Sequence, residues 1–590
     1  MSNRVQHLTR SQYVLIYGPG AIIESQNGAR IIPSLNSTFK PDLIDSDGIK
    51  KFEIVDTRMS MILNVIFKKK AKIFSMPTNA DVGKGLTKAI ARTFIFPKWS
   101  ICYGRKTKHS PILHETDSCP DCGRKDSSQV RFVMACINGH LDDVNWPYVV
   151  HRKTDRDCQH KKGYLWESNG SSLSDIVIKC RDCGVQATMQ DVYKADFLCT
   201  GRFPEQELAY TNNSGPGIPV VNRPKNCDKK MKVLQRQSTS LRFADTITLL
   251  TIPKFDNSIS NILQKHYVVA FLDGRFDDLD AEQFIIKVSE SKTLDKEDKN
   301  AIIRYIEENG LKNLELLYEN LNNKEKSFED LIYEEYESLS SGTERVSDNF
   351  SISEPVSINI HRHGIPDMKV YAVNRLRTVT AQTGYYRIPY NDNLTNTIVP
   401  IALRHNAELW YPGFQGQGEG IFIDIELNNR ESVSARPWSS ADGHSGSNLL
   451  SDQRWAEFRK RSSFTFIHTL SHSLIKVISQ NAGYSSASLR ERIYLERNGK
   501  KGGILIYTST AGEDGSMGGL VGIAKKESFE ETLEESWLNI NLCSNDPLCR
   551  ESRKTEDSVN GSACYSCLFI SETSCEHGNK YLDRHIILED

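Results

Sequence analysis

The chain has 590 residues, with 74 Lys+Arg against 75 Asp+Glu, 38% hydrophobic and 25% charged. A formal charge near zero argues against a general polyanion binder, and the length accommodates about three to five domains. No run reaches the ~18–20 apolar residues of a membrane span, and Met1-Ser-Asn-Arg-Val-Gln-His7 has no signal-peptide core, so a cytoplasmic protein without a membrane partner is expected. Fourteen cysteines, many in C-x2-C pairs, read as metal ligands in a reducing compartment rather than as disulfides.

Residues 1–97 are expected to form a β-rich N-terminal domain. Tyr13-Val-Leu-Ile-Tyr17 and Ala21-Ile-Ile23 read as short strands joined by a Gly18-Pro-Gly20 reversal. Such a turn could cradle a phosphate, but neither a G-x-G-x-x-G pattern nor a Walker lysine accompanies it. Phe67-Lys-Lys-Lys-Ala-Lys72 reads as solvated surface, with a phosphate-contacting strip as the alternative.

Residues 98–250 form a cysteine-rich, zinc-ribbon-like region. Cys180-Arg-Asp-Cys183 with Cys199 and Cys227 offers one four-thiolate group. Cys119-Pro-Asp-Cys122 with Cys102 offers a second, whose fourth ligand is open between His109, His114 and a neighbouring group, because Arg105 stands where a C-x2-C partner of Cys102 would be. Cys136, His140, His151 and Cys158 make a third possible tetrahedral set. Four protein ligands leave no position for water, and a loop-rich segment gains folding energy from the metal, so the zinc is expected to be structural. His140 and His151 also have a plain reading as hydrogen-bonded core histidines.

Residues 251–345 are expected to be a helical insert. Ile302, Ile303, Ile306, Leu311, Leu314, Leu317 and Leu321 recur near helical spacing, Asn309-Gly310 is a candidate stop, and the acidic faces read as solvated. Ser338 to Ser353 reads as a loop. Residues 346–460 return to mixed α/β structure. There Gly418-Glu419-Gly420 reads as a glycine turn before the strand Ile421–Ile425, with Glu419 structural rather than catalytic.

Residues 461–590 are expected to be an α/β zinc-binding domain, completing an α+β, multidomain chain. Cys564-Tyr-Ser-Cys567 is a C-x2-C pair; Cys575 with either Cys543 or Cys549 completes a four-thiolate site. His468 and His472 lie one helical turn apart on a shared face. H-x3-H can hold a metal, but Thr469 stands where a metalloprotease has Glu, so a hydrogen-bonded pair is expected. Arg490, Glu491 and Arg492 suit ion pairs or a partner equally. The turn from Ala511 to Gly519 holds Glu513 and Asp514, whose charge would repel phosphate.

Several of these segments resemble one family. His468-Thr-Leu-Ser-His472, Tyr484-Ser-Ser-Ala-Ser-Leu-Arg-Glu-Arg492, Ile506-Tyr507 with Gly518-Gly519, Ala563-Cys-Tyr-Ser-Cys-Leu568 and Leu582-Asp-Arg584 look like the C-terminal metal-binding domain of MrfA-type DNA helicases, which recurs in the DrmB proteins of DISARM anti-phage systems. Upstream, Gly18-Pro-Gly-Ala21, Arg131 to Asp143 with Trp146 and His151, Cys199-Thr-Gly201 with Pro204, Val370 to Ile388 and Trp410 to Phe422 resemble DrmB segments. The missing partner of Cys102 departs from the pattern.

The resemblance implies an accessory subunit with structural Zn2+ that binds a DrmA-type helicase, itself the ATPase, and reaches DNA through that complex, with no small-molecule substrate. No Walker A, H-x-K, G-x-S-x-G or D-x(n)-E-x-K pattern stands out, which favours a zinc-stapled scaffold over an enzyme. Two rivals are a zinc-dependent nuclease or hydrolase with an open position near His140, His151 and Cys158, and a stand-alone zinc-finger DNA binder, against which the charge balance argues.

Overall fold

A computed structural model describes residues 7–588 apart from 26–27, 39–47, 86–88, 105–108, 126, 155–157, 160–161, 169, 208–226, 253–257, 264, 274, 277–279, 323–325, 348, 361–363, 389–396, 406, 428–454, 456–457, 460, 497–498, 509–517 and 553–559. The fold is α+β. Arg105 and the turn segment holding Glu513 and Asp514 lie outside the described residues.

A 12-stranded sheet is the framework. Its spine is two strands of 19 residues, Met368–Tyr386 and Glu408–Glu426, paired antiparallel from Met368↔Ile425 to Ala381↔Gly413. β-Branched and aromatic residues recur along both strands, and residues 418–425 are buried without interruption, as expected of a strand covered on both faces. Phe243–Leu250 extends the sheet beside the first spine strand. The hairpin Leu489–Leu495 and Lys501–Thr508 extends it beside the second. Ala71–Ser75 joins in parallel at Leu409–Gly413.

Gly418-Glu419-Gly420 is therefore strand, not turn. A Cβ on Gly418 would stand 2.0 Å from the Thr508 carbonyl oxygen, so glycine is needed there for close backbone approach rather than for reversal. Glu419 is buried and accepts from the Tyr484 hydroxyl at 3.0 Å and the Leu520 amide at 2.9 Å.

The N-terminal reading also changes locally. Arg10–Leu15 is a helix, because Thr9 and Gln12 form a capping box that outweighs the apolar run. Two guanidiniums grip the Gly18-Pro-Gly20 turn by its carbonyls: Arg242 donates to Pro19 at 2.9 Å and Arg387 to Gly20 at 3.1 Å. The Gly20 amide donates to Ile32, so the turn turns carbonyls, not amides, toward its partners. In the lysine run, Lys70 pairs with Glu408 at 2.7 Å and Lys72 with Glu53 at 3.0 Å.

The insert contains helices Ala281–Glu290, Lys296–Asn309, Leu311–Asn322 and Phe328–Leu339, and Gly310 separates two of them with φ +87°. Their apolar stripes do not close on themselves. Phe284, Ile302, Ile306, Leu314 and Leu331 belong to the same core as Ile73, Leu249, Val370, Ile423, Leu470 and Ile504 of the sheet and C-terminal region. The segment read as a loop before residue 353 contains short strands Arg345–Val346 and Phe350–Ile352.

The acidic faces of the insert are not all solvated. Glu335 has no exposed surface. Its carboxylate accepts from Arg58 Nη1 at 3.1 Å, Arg492 Nη1 at 2.7 Å, the Tyr494 hydroxyl at 3.1 Å and the Leu250 amide at 2.9 Å. Arg492 continues to Glu576 at 2.6 Å. Two carboxylates thus balance two guanidiniums, with Glu335, Arg58 and Arg492 buried and Glu576 partly open to the cleft. Strand alternation sends Arg492 and Tyr494 toward the Phe328–Leu339 helix and Glu491 toward the opposite face, against helix Ser462–Asn481.

Removing one partner of such a network strands the rest. Glu335→Ala is expected to lower unfolding free energy by about 3–5 kcal/mol, whereas Glu337→Ala, at an exposed position of the same helix, should change it by less than about 0.5 kcal/mol. Denaturant midpoints of the two variants decide the matter.

Candidate metal centres

Among the described residues, four groups of side chains outside the main sheet and one beneath it bring metal-ligand atoms within 4.8 Å of one another. Three of the groups lie on two small sheets between residues 100 and 235.

The first group is Cys102, His109, Cys119 and Cys122. His109 Nε2 lies 3.3 Å from Cys122 Sγ and 3.6 Å from the sulfurs of Cys102 and Cys119. Its Nδ1 donates to the Ser110 carbonyl at 2.7 Å, which leaves the Nε2 lone pair toward the sulfurs. His109 is thus the fourth member left open by the sequence. His114 instead engages Ser127 at 2.9 Å and Thr116.

The second group is Cys136, His140, Cys199 and Cys227. His140 Nδ1 is 3.3 Å from both Cys136 and Cys199. The third is His151, Cys158, Cys180 and Cys183, with His151 Nε2 3.4 Å from Cys183 and His151 Nδ1 donating to Pro147 at 2.8 Å. The structure therefore regroups the sequence sets: Cys199 and Cys227 stand with Cys136 and His140, not with Cys180 and Cys183. His140, His151 and Cys158, the trio of the hydrolase reading, are divided between two groups.

Register explains the exchange. Tyr164↔Cys180 pairing carries the C-x2-C turn at 180–183 to the end of the chain segment holding Cys158. Pairing of Lys232 with Ala135 and of Leu198 with Lys230 gathers Cys136, Cys199 and Cys227 at one sheet end. Both C-x2-C turns, at 119–122 and 180–183, continue into a glycine of positive φ, Gly123 at +66° and Gly184 at +78°, which closes the loop around its two sulfurs.

The fourth group is Cys543, Cys549, Cys564 and Cys567. Cys543 and Cys564 sulfurs are 3.5 Å apart, and Cys549 and Cys567 3.8 Å. Both upstream cysteines take part, and Cys575 does not. It lies in the fifth group, with His468, His472 and Glu491, all buried.

The thiols are unequal. A hydrogen bond from the Cys199 thiol, followed by one from His140, holds Cys136 down to about 4. The Arg124 amide holds Cys122 down to about 6. At Cys564, burial is outweighed by the Cys567 amide and Asn545, leaving it at about 6. Burial pushes Cys119, Cys180 and Cys549 up to about 11. In the first, second and fourth groups one thiolate forms readily and resists the ionisation of its neighbours, a repulsion that a divalent cation removes. Donor sets of three thiols and one imidazole, or of four thiols, are those of structural zinc.

A cleft of about 950 Å³ opens beside the fifth group, lined among others by Arg236, Arg242, Arg490, Arg492 and Lys580. Several of its guanidiniums are committed to the fold: Arg236 to Glu24 at 2.6 Å, Arg242 to the carbonyls of Ile16 and Pro19, Arg492 to Glu335.

The regrouping sets a direct test. Cys180→Ser combined with Cys199→Ser should cost about two zinc atoms per chain, because the residues sit in different groups, while Cys180→Ser combined with Cys183→Ser should cost about one. Elemental analysis of the folded variants against the unmodified protein gives the count.

Comparison with known proteins agrees with this picture. Residues 9–243 match a family described as Domain of unknown function (DUF8724). Residues 470–568 match the MrfA Zn-binding domain, a span that includes the whole fourth group. DISARM protein DrmB of Bacillus paralicheniformis is 27% identical over 528 residues, which cover 84% of this chain and 88% of that protein. Among the described residues no helix is long and apolar enough to cross a membrane. The chain is thus a relative of DISARM protein DrmB along most of its length and carries an MrfA Zn-binding domain in its C-terminal region.

Proposed function

We propose that this chain is a non-catalytic accessory subunit of a cytoplasmic anti-phage complex, which docks a DrmA-type helicase and helps it hold DNA. The observation that carries the reading is the similarity to DISARM protein DrmB, which spans both the cysteine-rich region and the C-terminal domain rather than a single shared module. The chemistry of the first four groups is in keeping with it. Each supplies four protein donors, and four donors complete a tetrahedral zinc without an open position for water or substrate. Zinc held there would fix the loops that carry the ligands, with binding worth on the order of 10 kcal/mol to folding.

Electrostatics favour a shared nucleic-acid surface over an independent one. The chain carries a net charge of −1, and arginines of the cleft beside the fifth group bond to its own carbonyls and carboxylates. A binder of this kind adds contacts to a groove whose attraction for phosphate comes mainly from its partner.

Co-expression with the helicase encoded beside it tests the reading. The two chains are expected to copurify, and the pair to bind DNA more tightly than the helicase alone, with log affinity falling linearly against log salt at about −0.9 per phosphate contacted. Failure to copurify together with unchanged DNA affinity of the helicase would overturn it.

A further inference from the structure

We propose that His468, His472, Glu491 and Cys575 form a fifth metal centre, a buried site with two nitrogens, one oxygen and one sulfur for a divalent transition metal of the zinc class. This goes beyond the reading above and does not depend on the helicase.

The two histidines sit one turn apart on helix Ser462–Asn481, and both rings and the Glu491 carboxylate have no exposed surface. His468 Nε2 lies 2.9 Å from Glu491 Oε1 and 3.3 Å from Cys575 Sγ. His472 Nε2 lies 3.1 Å from the same carboxylate oxygen. All four donors fall within 4.8 Å of one another.

Proton placement then decides what the group can hold. His472 Nδ1 is 3.0 Å from the Leu568 carbonyl, which only accepts, so that nitrogen carries the proton. A neutral His472 therefore turns its Nε2 lone pair on a carboxylate oxygen. Two lone pairs face each other unless a cation lies between them, either a second proton on the ring or a metal ion. The same device, a ring N–H tied to a backbone carbonyl with the other nitrogen toward sulfur, occurs at His109 with Ser110 and at His151 with Pro147 in the cysteine-rich groups.

Cys575 favours the metal. Its sulfur accepts from two backbone amides, His577 at 3.3 Å and Asn579 at 3.4 Å. Amides aimed at one sulfur stabilise a thiolate far more than a thiol. A thiolate beside the Glu491 carboxylate in a dry interior is tolerable only if positive charge joins them. A divalent ion with one thiolate, one carboxylate and two neutral imidazoles sums to zero, the charge a fully buried site requires. The mixed nitrogen, oxygen and sulfur set suits zinc in tetrahedral geometry. The centre would pin the turn carrying Cys575 to the helix and to strand Leu489–Leu495, at the floor of the 950 Å³ cleft that Glu491 and Cys575 help to line. It straddles the edge of the matched zinc-binding domain, since His468 and Cys575 lie outside residues 470–568.

Anomalous diffraction at the zinc edge from crystals of the unmodified full chain tests the centre without mutation. The expected result is a peak enclosed by the four side chains, in addition to those at the cysteine-rich groups. Peaks at the cysteine-rich groups with none here would overturn the inference, leave the scaffold reading standing and assign the cluster to a protonated His472–Glu491 pair. A peak here with none at the cysteine-rich groups would do the reverse. In solution, His472→Gln and Cys575→Ser should each lower the metal content of folded protein by about one atom per chain; unchanged content in both would equally overturn it.

Discussion

A carboxylate with no access to water fixes how this molecule is put together. Glu335 cannot stay charged in the interior without compensation, and its compensation comes from Arg58 near the N-terminus and Arg492 near the C-terminus. The helix that carries Glu335 is therefore committed to one position over the sheet, and so are the helix of Arg58 and the hairpin of Arg492. Segments far apart in sequence are locked by charge as well as by apolar contact, and the second carboxylate, Glu576, extends the lock to the turn that carries Cys575.

That lock also positions the buried histidine cluster. Glu491 and Arg492 are neighbours on one strand and point to opposite faces; Cys575 and Glu576 are neighbours in one turn and divide the same way. One member of each pair enters the arginine–carboxylate network and the other enters the His468–His472 cluster. Orientation of the cluster is thus inherited from the network, and neither could shift register without exposing or stranding a charge in the other.

How much of this can be read in the sequence depends on the range of the interaction. C-x2-C pairs are local, and both members of every such pair do fall in one group. The Asn309-Gly310 stop and the helical stripes of the insert are local too. The remaining ligands are chosen by strand register, so spacing along the chain assigned Cys199 and Cys227 to the wrong neighbours and sent Cys575 to the thiols of Cys564 and Cys567. Gly418 and Gly420 misled for the same reason: a glycine required by an adjacent strand looks like a glycine required by a turn. Glu335 gave no local sign, because an acidic residue in an acidic helix is indistinguishable from its solvated neighbours until its partners arrive from elsewhere. His109 does carry a local sign, since it stands between Cys102 and Cys119, within loop reach of both.

The two C-terminal donor groups differ in kind, and the difference follows from where they sit. Cys543, Cys564 and Cys567 are half-buried in short turns and Cys549 is buried in the one-turn helix Leu548–Glu551, so their order depends on whatever holds the sulfurs together. His468, His472 and Glu491 are set in helix and strand, with Cys575 on an adjoining turn, in a large apolar core that also holds Leu470, Leu474, Ile493 and Ile504. Holding the first group makes structure; holding the second neutralises charge within structure that exists for other reasons. Loss of the first should release a surface, and with it any partner that reads that surface. Loss of the second should instead leave a buried carboxylate and a thiol in conflict at the floor of the cleft, where the interior must find a proton to replace the missing ion.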